Sequence, residues 1–460
     1  MNRRTFLALT PLASAAWGQS GGAEISAADL KDDLRILHAA FEEGHPGFYR
    51  YTPKADMDAV YARAESALAK PMDWLGFYRV VAPAVAAVKC GHTQPRPPAS
   101  AADFFNKELR VLPLEVKIIG GKLWAFRDHG FAGKYAGREI ESINGVTVSK
   151  LLPPILAVSN GDGNSGPVRE SRASRRFGTL LWAIGGIQPP YRVKFAGEKT
   201  AVESAGMLAS EFPTSPQPAV AEFRVLDGKI GYLKIRGFGG PPIDGKPLDA
   251  YYADRFEEMN KSGVASLILD LRDNGGGRDE WGQKLFAHLH DKPFRYYRAL
   301  TLNKLQFDFA KYAGGLSPMP EDRVTKRADG KYDATSHPNW GMKQPIEPHF
   351  AGKTIVLING GSFSATCEFA TMAKFHKAAR FVGEETGGAF TGNTSGATAG
   401  LELPHSKLRV GVPLMGYYMA AETDRPDRGI FPDVTVAPTI EDLINGRDPV
   451  MDRATAMLKG

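Results

Sequence analysis

The sequence predicts a mixed α/β fold in three regions. Apolar residues recur at three- and four-residue spacing between residues 25 and 88, which is typical of amphipathic helices. Short strand-like runs bounded by glycine dominate residues 114 to 148, and from residue 230 strands and helices alternate. We therefore expect a helical domain over 21–100, a β-rich domain over 101–210 and an α/β core over 211–460.

Composition excludes several classes of protein. The chain has 460 residues, of which 43% are hydrophobic and 23% charged, as in soluble globular proteins of two or three domains. Its net charge of +6 is small and dispersed, which argues against a nucleic-acid partner. Two cysteines are too few for a disulfide scaffold or a cysteine-rich metal site, and we expect neither a metal nor a cofactor.

Residues 1–20 have the pattern of a cleaved export signal. Arg3 and Arg4 precede a short apolar stretch that ends in small residues, and the Arg-Arg-x-Phe-Leu order is typical of the twin-arginine class. After residue 20 no apolar run reaches the roughly 20 residues needed to span a bilayer. We expect a periplasmic or secreted protein without a membrane span in the mature chain.

The first half of the chain divides at proline-rich links. Ser26 precedes the first periodic leucine as a helix cap, and a third helical stretch, kinked at Pro83, runs into the loop 90–93. We predict strands at 114–119, 122–126 and 139–143, a turn at Asn144-Gly145 and a short helix over 151–156. Residues 200–225 contain three prolines and are predicted to form a linker.

The second half supplies the strands of the core. We predict strands at 230–235, 266–271, 354–358 and 381–382 and a helix over 248–259. Residues 294–349 have no long period and are predicted to form an insertion over the core and its site.

The stretch Asn359–Ala370 contains the strongest candidate nucleophile. An apolar strand ends there in two glycines and a small polar cluster, and a helix-like sequence follows. A serine in such a turn can project from the sheet, and the first N–H groups of the helix are free to bind a developing negative charge. Ser364 is the candidate. The alternative is that Ser362, Ser364 and Thr366 only cap the helix.

Two other loops contain residues that could complete such a site. Residues 274–277, Asn-Gly-Gly-Gly, follow a buried strand and allow close backbone approach to a reacting group. Residues 90–93, Cys-Gly-His-Thr, place His92 between two domains. A serine hydroxyl needs a base to become nucleophilic, so a histidine matters here.

Together these loops resemble peptidase family S41, the C-terminal processing and tricorn-like serine peptidases. The resemblance is carried by "GHT", "LILDLRDNGGG", "VLINGGSFSATCEFA" followed by "FVGEETGG", and "GIFPDVTVAPTIEDLINGRDPVMDRA". The string "GREIESINGVTVSKLL" resembles part of a PDZ domain. The implied architecture is a helical N-terminal region, a PDZ-like domain that can hold an extended peptide, and an α/β sandwich core.

The resemblance also implies roles for single residues. Ser364 matches the nucleophile, and the N–H groups of Ala365 and Gly276 match the oxyanion hole, with Gly277 as the alternative to Gly276. The lysine base of the processing peptidases is missing, since its position falls at Ala389. The base is therefore expected to be His92, as in the tricorn-like branch.

The residue that orients His92 stays open at this point. The tricorn-like peptidases have a serine before the histidine, where this chain has Gly91. By position the remaining candidates are Glu422, Asp424 and Asp427. Cys90 and Cys367 each lie within three residues of a proposed catalytic residue, so we also consider a disulfide between them.

The resulting prediction is an exported serine peptidase that acts on peptides or unfolded proteins through an acyl-enzyme on Ser364. The alternative is a binding protein on the same scaffold with a degenerate site, holding peptides or small apolar ligands. The missing lysine favours this alternative, and the presence of both His92 and Ser364 opposes it.

Overall fold

The computed structural model describes residues 22–214, 218–227, 229–243, 245–314 and 316–459. The export signal expected over residues 1–20 lies outside this range. Within it, no helix has the length and apolar character that crossing a membrane requires. The mixed α/β class predicted from the sequence is confirmed.

The N-terminal region is helical, as predicted. It comprises α1 (Ala27–Gly44), α2 (Lys54–Ala67), α3 (Trp74–Ala86) and the short strand β1 (Pro95–Arg96). The Ser26 hydroxyl accepts the N–H of Asp29 and caps α1. Pro83 lies inside α3, and the chain leaves this helix directly into the loop that contains His92.

The second region has a six-stranded sheet covered by helices. In chain order its elements are α4 (Ala102–Lys107), β2 (Arg110–Val111), β3 (Leu114–Ile119), β4 (Lys122–Asp128), β5 (Glu139–Ile143), β6 (Val146–Thr147), α5 (Val148–Ala157), α6 (Pro167–Arg175), α7 (Phe177–Ala183), β7 (Tyr191–Phe195), β8 (Val202–Ser204) and β9 (Met207–Leu208). The sheet order is β3-β4-β5-β7-β8, with β6 paired to β5. Two strands have the predicted bounds, and the PDZ-like assignment stays a prediction.

The third region supplies the remaining helices and strands. They are β10 (Ala221–Leu226), β11 (Ile230–Ile235), α8 (Leu248–Lys261), β12 (Ser266–Asp270), α9 (Asp279–Ala287), β13 (Phe294–Arg295), β14 (Tyr297–Leu302), β15 (Thr325–Lys326), β16 (Tyr332–Asp333), β17 (Met342–Lys343), β18 (Lys353–Ile358), α10 (Ala365–Phe375), β19 (Arg380–Gly383), β20 (Thr394–Ser395), β21 (Ala399–Glu402), β22 (Arg409–Val412), β23 (Met415–Met419), β24 (Val434–Thr435), α11 (Ile440–Ile444) and α12 (Pro449–Lys459).

The central sheet brings the predicted loops together. Its order is β10-β11-β12-β18-β19-β24, with parallel pairing from β11 through β24 and β10 antiparallel at the edge. Residues of β12 and β18 are buried between two apolar clusters, one on each face. Strands β12 and β18 are parallel neighbours. The glycine loop after β12 and the serine loop after β18 therefore both lie at the carboxyl ends of the strands, on the same side of the sheet.

Two segments differ from the prediction. The linker expected over 200–225 contains β8 and the start of β10, which pairs with β11 along its whole length. The insertion expected over 294–349 contains β14, a largely buried strand that pairs with β23. All three strands are short. Strands β8 and β10 lie at the edge of a sheet and β14 pairs with a distant segment, so local periodicity did not indicate them.

The helical region is joined to the core by pairing, packing and hydrogen bonds. Strand β1 pairs with β22, and residues of α1 to α3 share an apolar cluster with residues 399–414. The buried Asp33 carboxylate accepts the N–H groups of His405 and Ser406 at 3.1 and 2.7 Å. These contacts hold the helical region against residues 399–414 of the third region.

Candidate active site

Ser364 occupies a strained turn between β18 and α10. Its φ is 57° and its ψ is −129°, a backbone conformation that side-chain-bearing residues rarely adopt and that costs of order 1–3 kcal/mol. Neighbouring bonds hold the turn in place: the Ser362 hydroxyl donates to the Leu271 carbonyl at 2.8 Å, and the Phe363 N–H donates to the Asn274 carbonyl at 2.9 Å. The strain therefore coincides with the candidate nucleophile.

His92 lies against this serine. Its Nε2 is 3.0 Å from the Ser364 Oγ, although 272 residues separate the two in the chain. The imidazole packs on the Phe363 ring with centroids 4.7 Å apart, and the Arg172 guanidinium lies 4.4 Å from the centre of that ring. Arg172 also donates to the Gly91 carbonyl at 3.0 Å, which fixes the backbone just before the histidine.

The surroundings keep His92 neutral. Burial, and to a smaller extent the nearby Arg172 charge, lower the pKa of His92 to about 3. A neutral imidazole whose Nε2 faces a serine hydroxyl can accept the hydroxyl proton. The pair thus has both the geometry and the protonation state of a nucleophile with its general base.

The candidate oxyanion donors are backbone N–H groups on α10 and on the glycine loop. Among the described residues the Ala365 N–H, the first of α10, has no hydrogen-bond partner. The N–H of Gly276, which the sequence suggested as the second donor, instead donates to the Asn274 Oδ1 at 2.9 Å. The N–H of Gly277 has no hydrogen-bond partner within the described ranges. The Gly276 N–H is therefore engaged by Asn274, and Gly277, the alternative named from the sequence, keeps an N–H that is free to donate.

Gly276 allows the glycine loop to approach Ser364 closely because it has no side chain. Its φ is 95°, and a Cβ added there would lie 2.6 Å from the Ser364 Cβ and 2.9 Å from the Ala365 nitrogen. A real Cβ contact that short does not occur, so only glycine lets the two loops approach this closely.

Sequence reasoning missed Asp162, which lies beside His92. One carboxylate oxygen accepts the Gly91 N–H at 2.8 Å, and the other is buried without a partner among the described residues. The Nδ1 of His92 is also buried without a partner in that part of the chain. A carboxylate oxygen and a ring nitrogen of these residues lie within 4.8 Å of each other. Asp162 lies in the glycine-rich loop 160–164, and loops commonly carry functional residues. This loop was the feature of the sequence that could have indicated Asp162.

The carboxylates expected from the sequence lie elsewhere. Glu422 and Asp424 are exposed, and neither bonds to His92. The Asp427 Oδ2 accepts the Asn164 Nδ2 at 2.6 Å, so this residue holds the loop of Asp162 rather than the imidazole itself.

The departures from the family pattern also have physical explanations. A Cβ at Gly91 would lie 2.4 Å from the Phe363 ring, so that ring fills the space a serine would need. Ala389, at the position of the missing lysine, is buried and bridged to Gly429. Lys374, on the helix after Ser364, bonds to the Asp433 carboxylate.

The disulfide considered from the sequence is not formed. Cys90 and Cys367 are both free, buried thiols. The Cys90 Sγ lies 3.3 Å from the Thr394 carbonyl and the Cys367 Sγ 3.2 Å from the Ser362 carbonyl, so each thiol has a hydrogen bond of its own.

Comparisons with known proteins concern the family resemblance and the fold. Residues 229–436 match the model of peptidase family S41. Over these residues the chain is similar to the S41 peptidases. Among solved structures, mature CPAF in complex with lactacystin has 15% identity and a TM-score of 0.63, covering 94% of this chain and 98% of that one. A mutant of CPAF has 14% identity and a TM-score of 0.65, covering 94% and 97%. Among curated proteins no match is found.

These findings divide the site between two parts of the chain. Ser364, Ala365 and the glycine loop lie inside the S41 match, whereas His92 and Asp162 precede it. The similarity to CPAF extends over nearly the whole chain and shows that the fold outside the match is shared as well.

Proposed function

We propose that this S41 protein is an exported serine peptidase that cleaves peptides or unfolded proteins through an acyl-enzyme on Ser364. The observation that carries the proposal is the 3.0 Å contact between the His92 Nε2 and the Ser364 Oγ. The strained turn at Ser364 and the free Ala365 N–H support it.

The proposed reaction follows from this arrangement. As the Ser364 Oγ attacks the peptide carbonyl carbon, its proton passes to the His92 Nε2. The carbonyl oxygen gains the negative charge and binds the N–H groups of Ala365 and Gly277. The Nε2 proton then passes to the leaving amine, and the C–N bond breaks. A water, deprotonated by the same nitrogen, hydrolyses the ester and restores the serine.

Asp162 is proposed to position His92. Burial raises the pKa of Asp162 to about 6, so that its carboxylate is largely ionised at neutral pH. Its free oxygen can accept the Nδ1–H of His92 directly after a small movement, or through one water. This bond selects the tautomer with a free Nε2 and stabilises the imidazolium that forms during attack.

The competing function is peptide binding by a degenerate site. The direct contact between hydroxyl and imidazole favours catalysis, because a pure binding site has no need of a strained serine against a neutral histidine. Export is proposed from residues 1–20 alone, and the substrate class from the family.

Turnover of an unfolded protein tests the proposal. Mature protein should release new amino termini from a denatured substrate, and Ser364→Ala should abolish this release. Ser149→Ala, an exposed serine on α5, is the matched control and should retain the rate. Equal release by the Ser364→Ala variant would overturn the proposal, and so would no release by wild type over a broad set of unfolded substrates.

A further inference from the structure

The proposed reaction does not use Cys90, a buried thiol two residues before His92. Its Sγ, a ring nitrogen of His92 and a carboxylate oxygen of Asp162 all lie within 4.8 Å of one another. Three chemically different donors thus converge on one point behind the catalytic histidine.

Two of these donors have unused binding capacity. The His92 Nδ1 and the Asp162 Oδ2 are buried and have no hydrogen-bond partner among the described residues. The other ring nitrogen and the other carboxylate oxygen are occupied by Ser364 and by the Gly91 N–H. Buried polar atoms without partners cost free energy, and an ion bound by both atoms would satisfy them.

Thiolate, imidazole and carboxylate are the ligands that zinc takes in proteins. Zinc–ligand bonds of about 2.0–2.3 Å place tetrahedral ligands roughly 3.3–3.8 Å apart. The three donor atoms lie within 4.8 Å of one another, so each would have to move toward the ion by about 1 Å at most to reach that geometry. Magnesium and calcium prefer more ligands, all of them oxygen, and fit this set poorly.

We propose that Cys90, His92 and Asp162 bind one Zn²⁺ ion, with water at the fourth position, and that this ion reversibly switches the peptidase site off. The binding half of the proposal stands on the donor set alone. The switching half rests on the proposed function of Ser364 and His92.

Inhibition follows from the tautomer of the imidazole. A neutral imidazole carries one proton, and coordination through Nδ1 leaves this proton on Nε2. An Nε2–H donates to the Ser364 Oγ and cannot accept its proton, so the general base is lost while the serine stays in place. Coordination also removes the Asp162 carboxylate from its positioning role. Binding releases the Cys90 thiol proton to solvent and involves no oxidation.

The ligands themselves can neutralise a dication. Arg50 and Arg172 both carry positive charge near the Asp162 carboxylate. A thiolate and a carboxylate together carry two negative charges and neutralise the bound ion. Because the Cys90 thiol loses one proton on binding, the site as a whole gains one positive charge. Arg172 already bonds to two backbone carbonyls and does not need to move.

Cobalt binding tests the site without relying on activity. Chelator-treated Ser364→Ala protein, titrated with Co²⁺, should develop a thiolate-to-cobalt charge-transfer band that saturates at one ion per chain. Cys90→Ser in the same background should lack the band, and Cys367→Ser, the matched buried thiol, should keep it. No band, or a band that persists in Cys90→Ser, would overturn the binding half.

Two features keep this experiment decisive. A second cluster, His38, Glu42 and Asp58, contains no sulfur and its carboxylates already bond to Lys54, so it cannot produce the band. If Cys90→Ser fails to fold, Asp162→Asn is the second variant, since an amide oxygen can still accept the Gly91 N–H. This variant should bind cobalt at least roughly tenfold more weakly, and unchanged affinity would overturn the proposal.

Inhibition tests the switching half. Zn²⁺ should inhibit wild-type peptide turnover, and a chelator should restore it. Relative to its own metal-free rate, Cys90→Ser should need at least roughly tenfold more Zn²⁺ for half inhibition, whereas Cys367→Ser should match wild type. Cobalt binding without zinc inhibition of an active enzyme would overturn the switch. A cobalt band in protein that never turns over any peptide would leave binding intact and refute the proposed function.

Discussion

Replacing Asp162 by Asn should lower kcat strongly while the protein stays folded. The amide oxygen can keep the 2.8 Å bond from the Gly91 N–H, which turns the NH₂ group toward the His92 Nδ1. Nδ1 then accepts a hydrogen bond, and the ring proton must lie on Nε2, the nitrogen that faces Ser364. A wrong tautomer in a Ser-His-Asp site costs roughly 10⁴ in kcat, which corresponds to about 5 kcal/mol of barrier.

Steady-state kinetics on a cleaved peptide at neutral pH give the measurement, with thermal unfolding as the check on folding. The loss should appear in kcat with little change in KM, because Asp162 acts through His92 rather than on the substrate. Asp424→Asn, an exposed carboxylate once considered for the same role, is the matched control and should keep the wild-type rate. A folded Asp162→Asn variant within threefold of the wild-type kcat would refute the assignment.

Three further predictions concern the surroundings of the site. Gly276→Ala should lower kcat roughly 10²–10³-fold, since the added Cβ would obstruct the Ala365 N–H; an unchanged kcat in steady-state assays argues against this. Burial, then the Asp279 charge, raise the pKa of Glu368 from 4.5 to about 8. The native state thus binds more protons than the unfolded state, and stability should fall as pH rises from 4.5 to about 8, by up to roughly 1.4 kcal/mol per unit. Denaturant titrations across this range should show a shallower slope for Glu368→Gln, and an equal slope contradicts the assignment. Asp33→Ala should destabilise by roughly 1–3 kcal/mol through the N–H groups it leaves unpaired, and an unchanged denaturation midpoint would exclude this.

Local patterns predicted much of the fold and one side of the site. The strands β5 and β11 have the bounds expected from alternation and glycine turns, and the Ser26 cap begins α1 as expected. The turn at Ser364 was readable because an apolar strand, two glycines and a helix are all encoded within a few residues. These features are determined by residues close together in the chain, and the periodicity of apolar residues is a good indicator of such local structure.

The other side of the site depends on contacts between distant segments. Asp162 belongs to a loop that reads as polar and flexible, and only the packing of that loop on residues 89–91 and 427 brings it to His92. The choice of Gly276 or Gly277 as a donor depends on the Asn274 side chain, which accepts the Gly276 N–H. Asparagine side chains commonly form such a turn with the residue two positions later, so Asn274 was a signal for it in the sequence. Strand β14 was missed because its partner β23 lies more than a hundred residues away.

The most direct test of the central claim is covalent labelling of Ser364 by a serine-directed phosphonate probe, followed by intact-mass analysis and peptide mapping. Wild type should gain one adduct, located on Ser364, and Ser364→Ala should gain none. His92→Ala should label far more slowly at neutral pH, because the hydroxyl then lacks the base that lies 3.0 Å away. Wild-type protein that stays unlabelled, or a His92→Ala variant that labels at the wild-type rate, would contradict the account.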